Sequence, residues 1–276
     1  MTVARWLEPA QLRLEGAGIE SPALEAQMLA AHAILADRTY VITHPDAEFP
    51  ELAGEQLLQR RESHEPLAYI LGWREFYSRR FRVGPGVLVP RQETETLVDA
   101  ALSFLDSTAG ARVLDLGTGS GCIAITIKLE RPGVDVTASD VSEEALEIAR
   151  SNAGDLAADV RFELSDGFGS FGEEHFDLIV TNPPYVGLHE ALPLEVLSYE
   201  PAEALFSGHT GLEFYEMLAE TAAEHLTESG KLMMEVGFRQ ARQVALIFES
   251  CGWGLMEVVK DLSGVERVVA VQPLVV

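Results

Sequence analysis

Hydrophobic and polar positions change period twice along the chain. Up to about residue 65 the spacing is helical, with Ser21 as N-cap, Pro22 in the first helical position, and Leu24, Met28, Ala31 and Leu35 as the stripe expected to face a core. Between Tyr69 and Pro90, aromatic and β-branched residues interrupted by Gly84-Pro85-Gly86 predict a β-hairpin. From Arg112 onward, short apolar runs alternate with helical patterns. Strands are expected at 112–116, 134–139, 160–164, 176–181, 231–236, 254–260 and 266–272, with a capped helix starting at Ser142-Glu143-Glu144. No helix separates the last two strands, so a mostly parallel α/β sheet of seven strands should end in an antiparallel hairpin. The expected layout is an N-terminal helical domain at 1–65, a β-hairpin linker at 66–92 and an α/β domain at 93–276, with no internal repeat or low-complexity tract.

Chemistry gathers at the expected strand ends. Val113-Leu114-Asp115-Leu116 runs into Gly117-Thr118-Gly119-Ser120-Gly121 and then an apolar helix, a loop in which glycines let a ligand approach the backbone and a helix start offers unpaired N–H groups. Asp115, just before it, suits a cationic ligand. Asp140 ends the second strand, where it can accept hydrogen bonds from a ribose diol. From the loop alone, an S-adenosylmethionine site, a nicotinamide site and a purely structural turn all stay open. Ser165-Asp166-Gly167-Phe168 follows the third strand, and Asn182-Pro183-Pro184-Tyr185 follows the fourth. By itself a Pro-Pro pair is an ordinary turn. Here two prolines stiffen a ledge of acceptor carbonyls, Asn182 adds an amide that gives and takes hydrogen bonds, and Tyr185 adds a flat aromatic face. Such a ledge suits a planar group bearing NH2.

In this order, these motifs resemble the class I (Rossmann-like) S-adenosylmethionine methyltransferases that modify amino nitrogens. Pro66-Leu67-Ala68-Tyr69-Ile70-Leu71-Gly72, Phe81-Arg82-Val83, Val89-Pro90-Arg91-Gln92-Glu93-Thr94-Glu95 and Gly211-Leu212-Glu213-Phe214-Tyr215 narrow the resemblance to the release-factor glutamine methyltransferases, the HemK-type protein-(glutamine-N5) enzymes. The resemblance covers nearly the whole chain and is weakest over the first sixty or so residues. It implies methyl transfer from S-adenosylmethionine to the glutamine N5 of the Gly-Gly-Gln loop of peptide chain release factors. Asn182, Pro183, Pro184 and Tyr185 would hold the amide; Gly117, Thr118, Gly119, Ser120 and Gly121 would take the methionine part of the cofactor, Asp140 its ribose, and Asp166 with Gly167 its adenine, with Asn182 also at the cofactor. The helical residues 1–65 become the substrate-docking domain. Two positions depart from the family: Gln92 replaces a proline, and Gly167 replaces a larger apolar or aromatic residue, so the adenine wall is expected from Phe168 or a neighbour.

Charge bears on the alternative. Adenine N6 presents the same NH2 geometry as glutamine N5, so the ledge alone admits an adenine-N6 nucleic-acid methyltransferase. Net charge is -24, and no Lys or Arg occurs from Phe162 to Gly230, a stretch that holds Glu163, Asp166, Glu190, Glu195, Glu200, Glu203, Glu213, Glu216 and Glu220. A nucleic-acid enzyme needs bases around its substrate mouth, so a protein substrate is favoured and no direct nucleic-acid substrate is expected. The one basic cluster, Arg74, Arg79, Arg80, Arg82 and Arg91, is expected to form salt bridges between domains. Cys122 and Cys251 have no C-x-x-C spacing and are expected to be reduced core residues, while the seven histidines lack metal spacing, so no metal is expected. Without a leader-like N-terminus or a long apolar run, the 276-residue chain is expected to be a cytoplasmic monomer that meets no membrane.

Overall fold

The computed structural model describes residues 1–108 and 110–274. The chain forms two compact units, Met1–Trp73 with Leu192–Tyr199, and Arg74–Ala191 with Glu200–Val276.

Helices Val3–Gly16, Pro22–Ala33, Arg38–Thr43, Glu51–Glu62 and Leu67–Leu71 make up most of the first unit, around Trp6, Leu14, Leu29 and Leu58. Ser21 does precede Pro22, but its side chain makes no capping bond. The buried face of that helix is Ala26, Leu29, Ala30 and Ala31, and Leu24 and Leu35 are exposed. The expected stripe holds at Ala31, is half-buried at Met28 and is lost at its ends; Leu35 is lost because the helix stops at Ala33 and Leu35 falls in the left-handed region beyond it. Buried Arg61 pairs with Glu25 at 2.5 Å and with Glu195 at 2.9 Å, and the Tyr199 hydroxyl donates to the Ser63 carbonyl at 2.8 Å. These bonds hold the short helix Leu194–Tyr199, which buries none of its own residues, to this unit.

Strands β1 (Trp73–Phe76) and β2 (Arg79–Arg82) form the hairpin, turning at Tyr77-Ser78 with both residues at positive φ, the twist that suits a two-residue connection. Three of the five arginines in the basic cluster pair within one unit rather than between domains. Arg79 pairs with Glu130, Arg82 with Asp155 and Arg91 with Glu200, all within the second unit. The paired acids lie far away in sequence on elements packed beside the hairpin, which spacing alone does not reveal.

Seven strands follow: β3 (Arg112–Leu116), β4 (Asp135–Asp140), β5 (Arg161–Leu164), β6 (Phe176–Thr181), β7 (Leu226–Glu235), β8 (Trp253–Lys260) and β9 (Glu266–Pro273). They form one sheet in the order β5-β4-β3-β6-β7-β9-β8, parallel except where β9 runs antiparallel to both β7 and β8. The expected terminal hairpin is present. Strand β7 begins earlier than its apolar run suggests, because Gly230 lies flat against the Phe176 carbonyl and the register shifts between Phe176 and Leu178. Alternate residues of β3 and β6 point to opposite faces. Val113, Leu178 and Val180 join one core with the helices Glu95–Leu105 and Cys122–Glu130; Leu114 and Ile179 join the other with Glu213–Thr221 and Ala241–Ser250, as does Phe176, which lies across the register shift from Leu178. Cys122 is buried as expected, whereas Cys251 is exposed just past the helix Ala241–Ser250. Among the described residues no helix is long and apolar enough to cross a membrane.

Strand order reverses between β3 and β6, one branch running outward to β5 and the other to β8. In such open sheets the crevice outside the carboxyl ends at the reversal is where ligands bind. Leu114, fully buried on β3, belongs to the core packed under the helices Glu213–Thr221 and Ala241–Ser250. Leu114→Ala is therefore expected to cost about 2 to 5 kcal/mol of unfolding free energy, read as a lower midpoint in urea with an unchanged m-value.

Candidate active site

A cleft of about 250 Å³ opens at that reversal, entirely within the second unit. Its floor is the glycine loop. The N–H groups of Gly117 and Thr118 donate to the Ser139 carbonyl at 2.9 and 2.8 Å, and the Gly119 N–H donates to Asp140 at 2.8 Å, so the loop is fastened across the end of β4. Gly117 and Gly119 take positive φ, and a Cβ on either would point into open space, leaving backbone exposed to whatever occupies the cleft. Gly121 meets a different limit: its Cβ would lie 2.8 Å from Ile125 and 3.1 Å from Ala149. Buried Asn152 donates to the Ser120 carbonyl at 2.8 Å and accepts from Arg82 N–H at 2.7 Å, tying the loop to the hairpin.

The two acids near the loop differ in role. Asp115 does not line the cleft. Fully buried, it accepts from the Thr118 hydroxyl at 2.6 Å and the Ala124 N–H at 3.1 Å, so it braces the loop and the first turn of the next helix. Burial pushes its carboxyl up to about 7 against the pull of those two donors. The direct contact with a cationic ligand expected from its sequence position gives way to a bracing role, since Asp115 does not line the cleft and its Oδ2 is bonded to the loop it supports. Asp140 does line the cleft, and its oxygens accept the Gly119 and Ser142 N–H groups. Burial raises its pKa as well.

Asp166 and Gly167 line the cleft at the end of β5, where the Ser165 hydroxyl donates to the Gly167 carbonyl at 2.9 Å. Phe168 turns away into the core, stacked on His225 with centroids 4.6 Å apart. The space beside Gly167 is bounded instead by Met217, 4.0 Å from where a Cβ would stand, and Phe214 is an aromatic residue on the cleft wall.

At the end of β6, Asn182, Pro183 and Pro184 line the cleft and Tyr185 stands behind them. Asn182 donates through Nδ2 to the Thr94 hydroxyl at 3.2 Å, while its Oδ1 is buried without a partner. The backbone after it is wedged in place: a Cβ on Gly211 would come within 2.4 Å of the Tyr185 carbonyl, which accepts from Gln240 at 2.9 Å. Glu213 collects the N–H groups of His209, Thr210 and Leu212 and so shapes the turn carrying Gly211; those donors, Thr210 above all, hold its carboxyl down at about 2. The Tyr185 hydroxyl lies 3.5 Å from Glu235, and burial raises its pKa. Glu235 ends β7 and is itself buried, with Oε2 unpartnered; burial lifts its carboxyl to about 7 against the pull of the nearby Thr94 hydroxyl and the charge of Arg267. Thr94, Asn152, Gly211 and Glu235 carry no motif signal of their own. Thr94 and Gly211 lie inside segments that carry the family resemblance, 89–95 and 211–215.

This strand order, with a glycine loop, an acid and a proline ledge at successive strand ends, defines a Rossmann-like methyltransferase. Residues 92–196 match the methyltransferase small domain and residues 5–72 the PrmC N-terminal domain. The chain is 41% identical over 275 residues to a release factor glutamine methyltransferase of Koribacter versatilis, covering 98% of both. It is 38% identical over 303 residues to a bifunctional methyltransferase of Rickettsia bellii; that alignment takes in 98% of this chain but only 54% of the relative, so the chain spans about half the length of such relatives. It also shares its fold with the 16S rRNA N2 G1207 methyltransferase of Thermus thermophilus, solved with AdoMet and guanosine, at a TM-score of 0.51 and 18% identity over 73% of this chain and 51% of that one. The chain belongs to the release factor glutamine methyltransferase family.

Glu235 makes stability depend on pH. The folded protein keeps its proton up to about 7, whereas an unfolded chain releases it near 4.5. Its stabilising share is thus complete below about 4.5 and is lost as pH rises to about 7, roughly 3 kcal/mol in all. Urea unfolding across that window should show the decline, and Glu235→Gln should flatten it, leaving the similar contribution of Asp115.

Proposed function

We propose that this chain is a cytoplasmic enzyme that transfers a methyl group from S-adenosylmethionine to the side-chain N5 of the glutamine in the Gly-Gly-Gln loop of a peptide chain release factor. The observation that carries the reading is the buried, unpartnered Oδ1 of Asn182 on the cleft wall between two rigid prolines and the glycine loop. A buried acceptor left unmade costs about 1 to 3 kcal/mol, and a substrate NH2 relieves that cost by donating to it.

The cleft residues fit the cofactor. Gly117 and Gly119 present backbone with room above it, Asp140 retains acceptor capacity for a diol, and Asp166 with Gly167 borders the far end beside Met217 and Phe214. When bound, S-adenosylmethionine supplies an electrophilic methyl group on a cationic sulfonium, which is already a good leaving group.

An amide nitrogen is a weak nucleophile because its lone pair is delocalised into the carbonyl, so the protein's task is to hold it in one orientation. Asn182 Oδ1 accepts one amide hydrogen and the Pro183 carbonyl another, while Pro184 keeps the ledge stiff. Tyr185, its hydroxyl near Glu235 and its carbonyl bonded to Gln240, supports the ledge from behind; it does not line the cleft, so the aromatic face expected from it is not among the groups that border the substrate. Orientation of this kind removes several kcal/mol of barrier without an acid or base, on the order of 7 in favourable cases. The base-free stretch from Phe162 to Gly230 favours a protein partner over a phosphate backbone. The helical unit at the N-terminus is the docking element for that partner in this reading.

Methyl-labelled S-adenosylmethionine should be mixed separately with a purified release factor, the same factor with its loop glutamine replaced, and duplex DNA. Label is expected on the first alone; label on DNA would overturn the assignment. Asn182→Ala should keep cofactor affinity within about tenfold and cut kcat by orders of magnitude, measured by calorimetry and single-turnover transfer.

A further inference from the structure

Strand β7 runs parallel to β6, so the turn that follows it opens at the same sheet edge as the proline ledge. That turn is Gly237-Phe238-Arg239-Gln240, closed by the Gln240 N–H donating to the Gly237 carbonyl at 3.0 Å. It is fastened to the end of the ledge. The Gln240 side-chain amide accepts the Gly237 N–H at 3.0 Å and donates to the Tyr185 carbonyl at 2.9 Å, and a Cβ on Gly237 would stand 3.0 Å from the Tyr185 ring. The two residues at the tip of the turn are thereby fixed relative to Tyr185.

What the tip carries does not serve the fold. Phe238 is 64% exposed, an aromatic ring left in solvent outside the cleft. Arg239 is the third residue of the turn and takes φ +67°, as in a type II turn, where glycine or asparagine is called for and a branched-off Cβ is strained. Its guanidinium lies 4.8 Å from the centroid of the Phe238 ring, and among the described residues no acid forms an ion pair with it. The chain has a net charge of -24 and no other arginine between Arg161 and this one. An unpaired cation on strained backbone, stacked on an exposed aromatic ring and anchored to the ledge, marks a surface kept for a partner.

We infer that Phe238 and Arg239 form a specificity platform that takes the main chain of the glycine pair next to the target glutamine. Glycines bring no side chains, so a protein reads them through their carbonyl oxygens and their bare Cα atoms. The guanidinium offers five N–H donors and no acceptor, which matches a row of carbonyls. The uncovered face of the Phe238 ring packs on Cα–H groups, a contact that any larger side chain would hold apart. Because Arg239 is already stacked on the ring and the turn is tied to Tyr185, little freedom is lost on contact. Asn182 senses only the amide; the platform adds a preference for the residues that precede it. The inference rests on the reading of the cleft as a glutamine N5 methyltransferase site.

Full-chain Arg239→Gly, Phe238→Ala and Asn182→Ala are to be compared for urea midpoint, for S-adenosylmethionine affinity by calorimetry, and for kcat and KM of labelled methyl transfer to a release factor. Arg239→Gly relieves the turn, so the midpoint should hold or rise while KM for the factor rises about tenfold, with cofactor Kd within about twofold. Phe238→Ala should give a similar rise in KM with the midpoint unchanged. A midpoint that falls in Arg239→Gly by more than about 0.3 M assigns the arginine to the fold and overturns the platform. A factor with alanine in place of the glycine next to its loop glutamine tests the occupant: KM should rise on the parent enzyme and rise less on Phe238→Ala, because the two changes remove one contact. An equal rise on both enzymes overturns the glycine pair as what the platform takes. KM within about twofold of the parent in both tip variants, beside an inactive Asn182→Ala, sinks the platform and leaves the N5 reading standing. Methyl label on a factor that lacks the loop glutamine sinks the N5 reading instead.

Discussion

A buried hydrogen-bond acceptor with nothing inside the protein to satisfy it is the constraint around which this catalytic unit is arranged. Asn182 Oδ1 is held in that state on the cleft wall. Left to itself, a side-chain amide would rotate or let the following loop shift until the oxygen found a donor. Preventing this takes two prolines in succession, a glycine packed against the Tyr185 carbonyl, a glutamine bonded to that same carbonyl and a threonine behind the amide nitrogen. Each of these contacts is individually worth about a kilocalorie. Their joint effect is a site already shaped for a donor, with the unfavourable term held in reserve for the substrate.

The acids follow the same logic of cost and use. Asp115 and Glu235, at the ends of β3 and β7, are buried with pKa values lifted to about 7, and each carries an oxygen without a partner. Neither stabilises the fold at neutral pH. Asp115 braces the glycine loop and Glu235 stands behind the ledge, so both costs are incurred where backbone or side-chain geometry has to be held. Glu200, one of the acids in the base-free stretch, is likewise structural, buried against Arg91 and the Val89 N–H. The negative character of the 162–230 region thus combines surface charge with buried struts.

Much of the site was legible because its signals are local. Gly117 to Ser120, Asp140, Asp166 with Gly167, and the Asn-Pro-Pro segment all line one cleft, since each follows a strand and parallel strands deliver their ends to one edge; Gly121 instead packs against Ile125 and Ala149. Readings that depended on the direction of a side chain fared differently. Asp115 and Phe168 border motifs yet turn inward, Leu24 and Leu35 miss the core, and Cys251 is exposed. In each case the neighbouring element, not the local spacing, decides which way the residue points.

The sequence by itself determined the sheet with its terminal hairpin, the helical N-terminal region and the chemical groups at the strand ends, because periodicity and turn chemistry act over a few residues. Only the tertiary structure decided which groups meet. Thr94 lies 88 residues from the amide it contacts, Asn152 joins a hairpin to a glycine loop, and residues 192–199, which follow the proline ledge, belong to the N-terminal unit. Contacts across such separations depend on strand order and register, which arise only when the whole sheet assembles and leave no periodic trace in the chain.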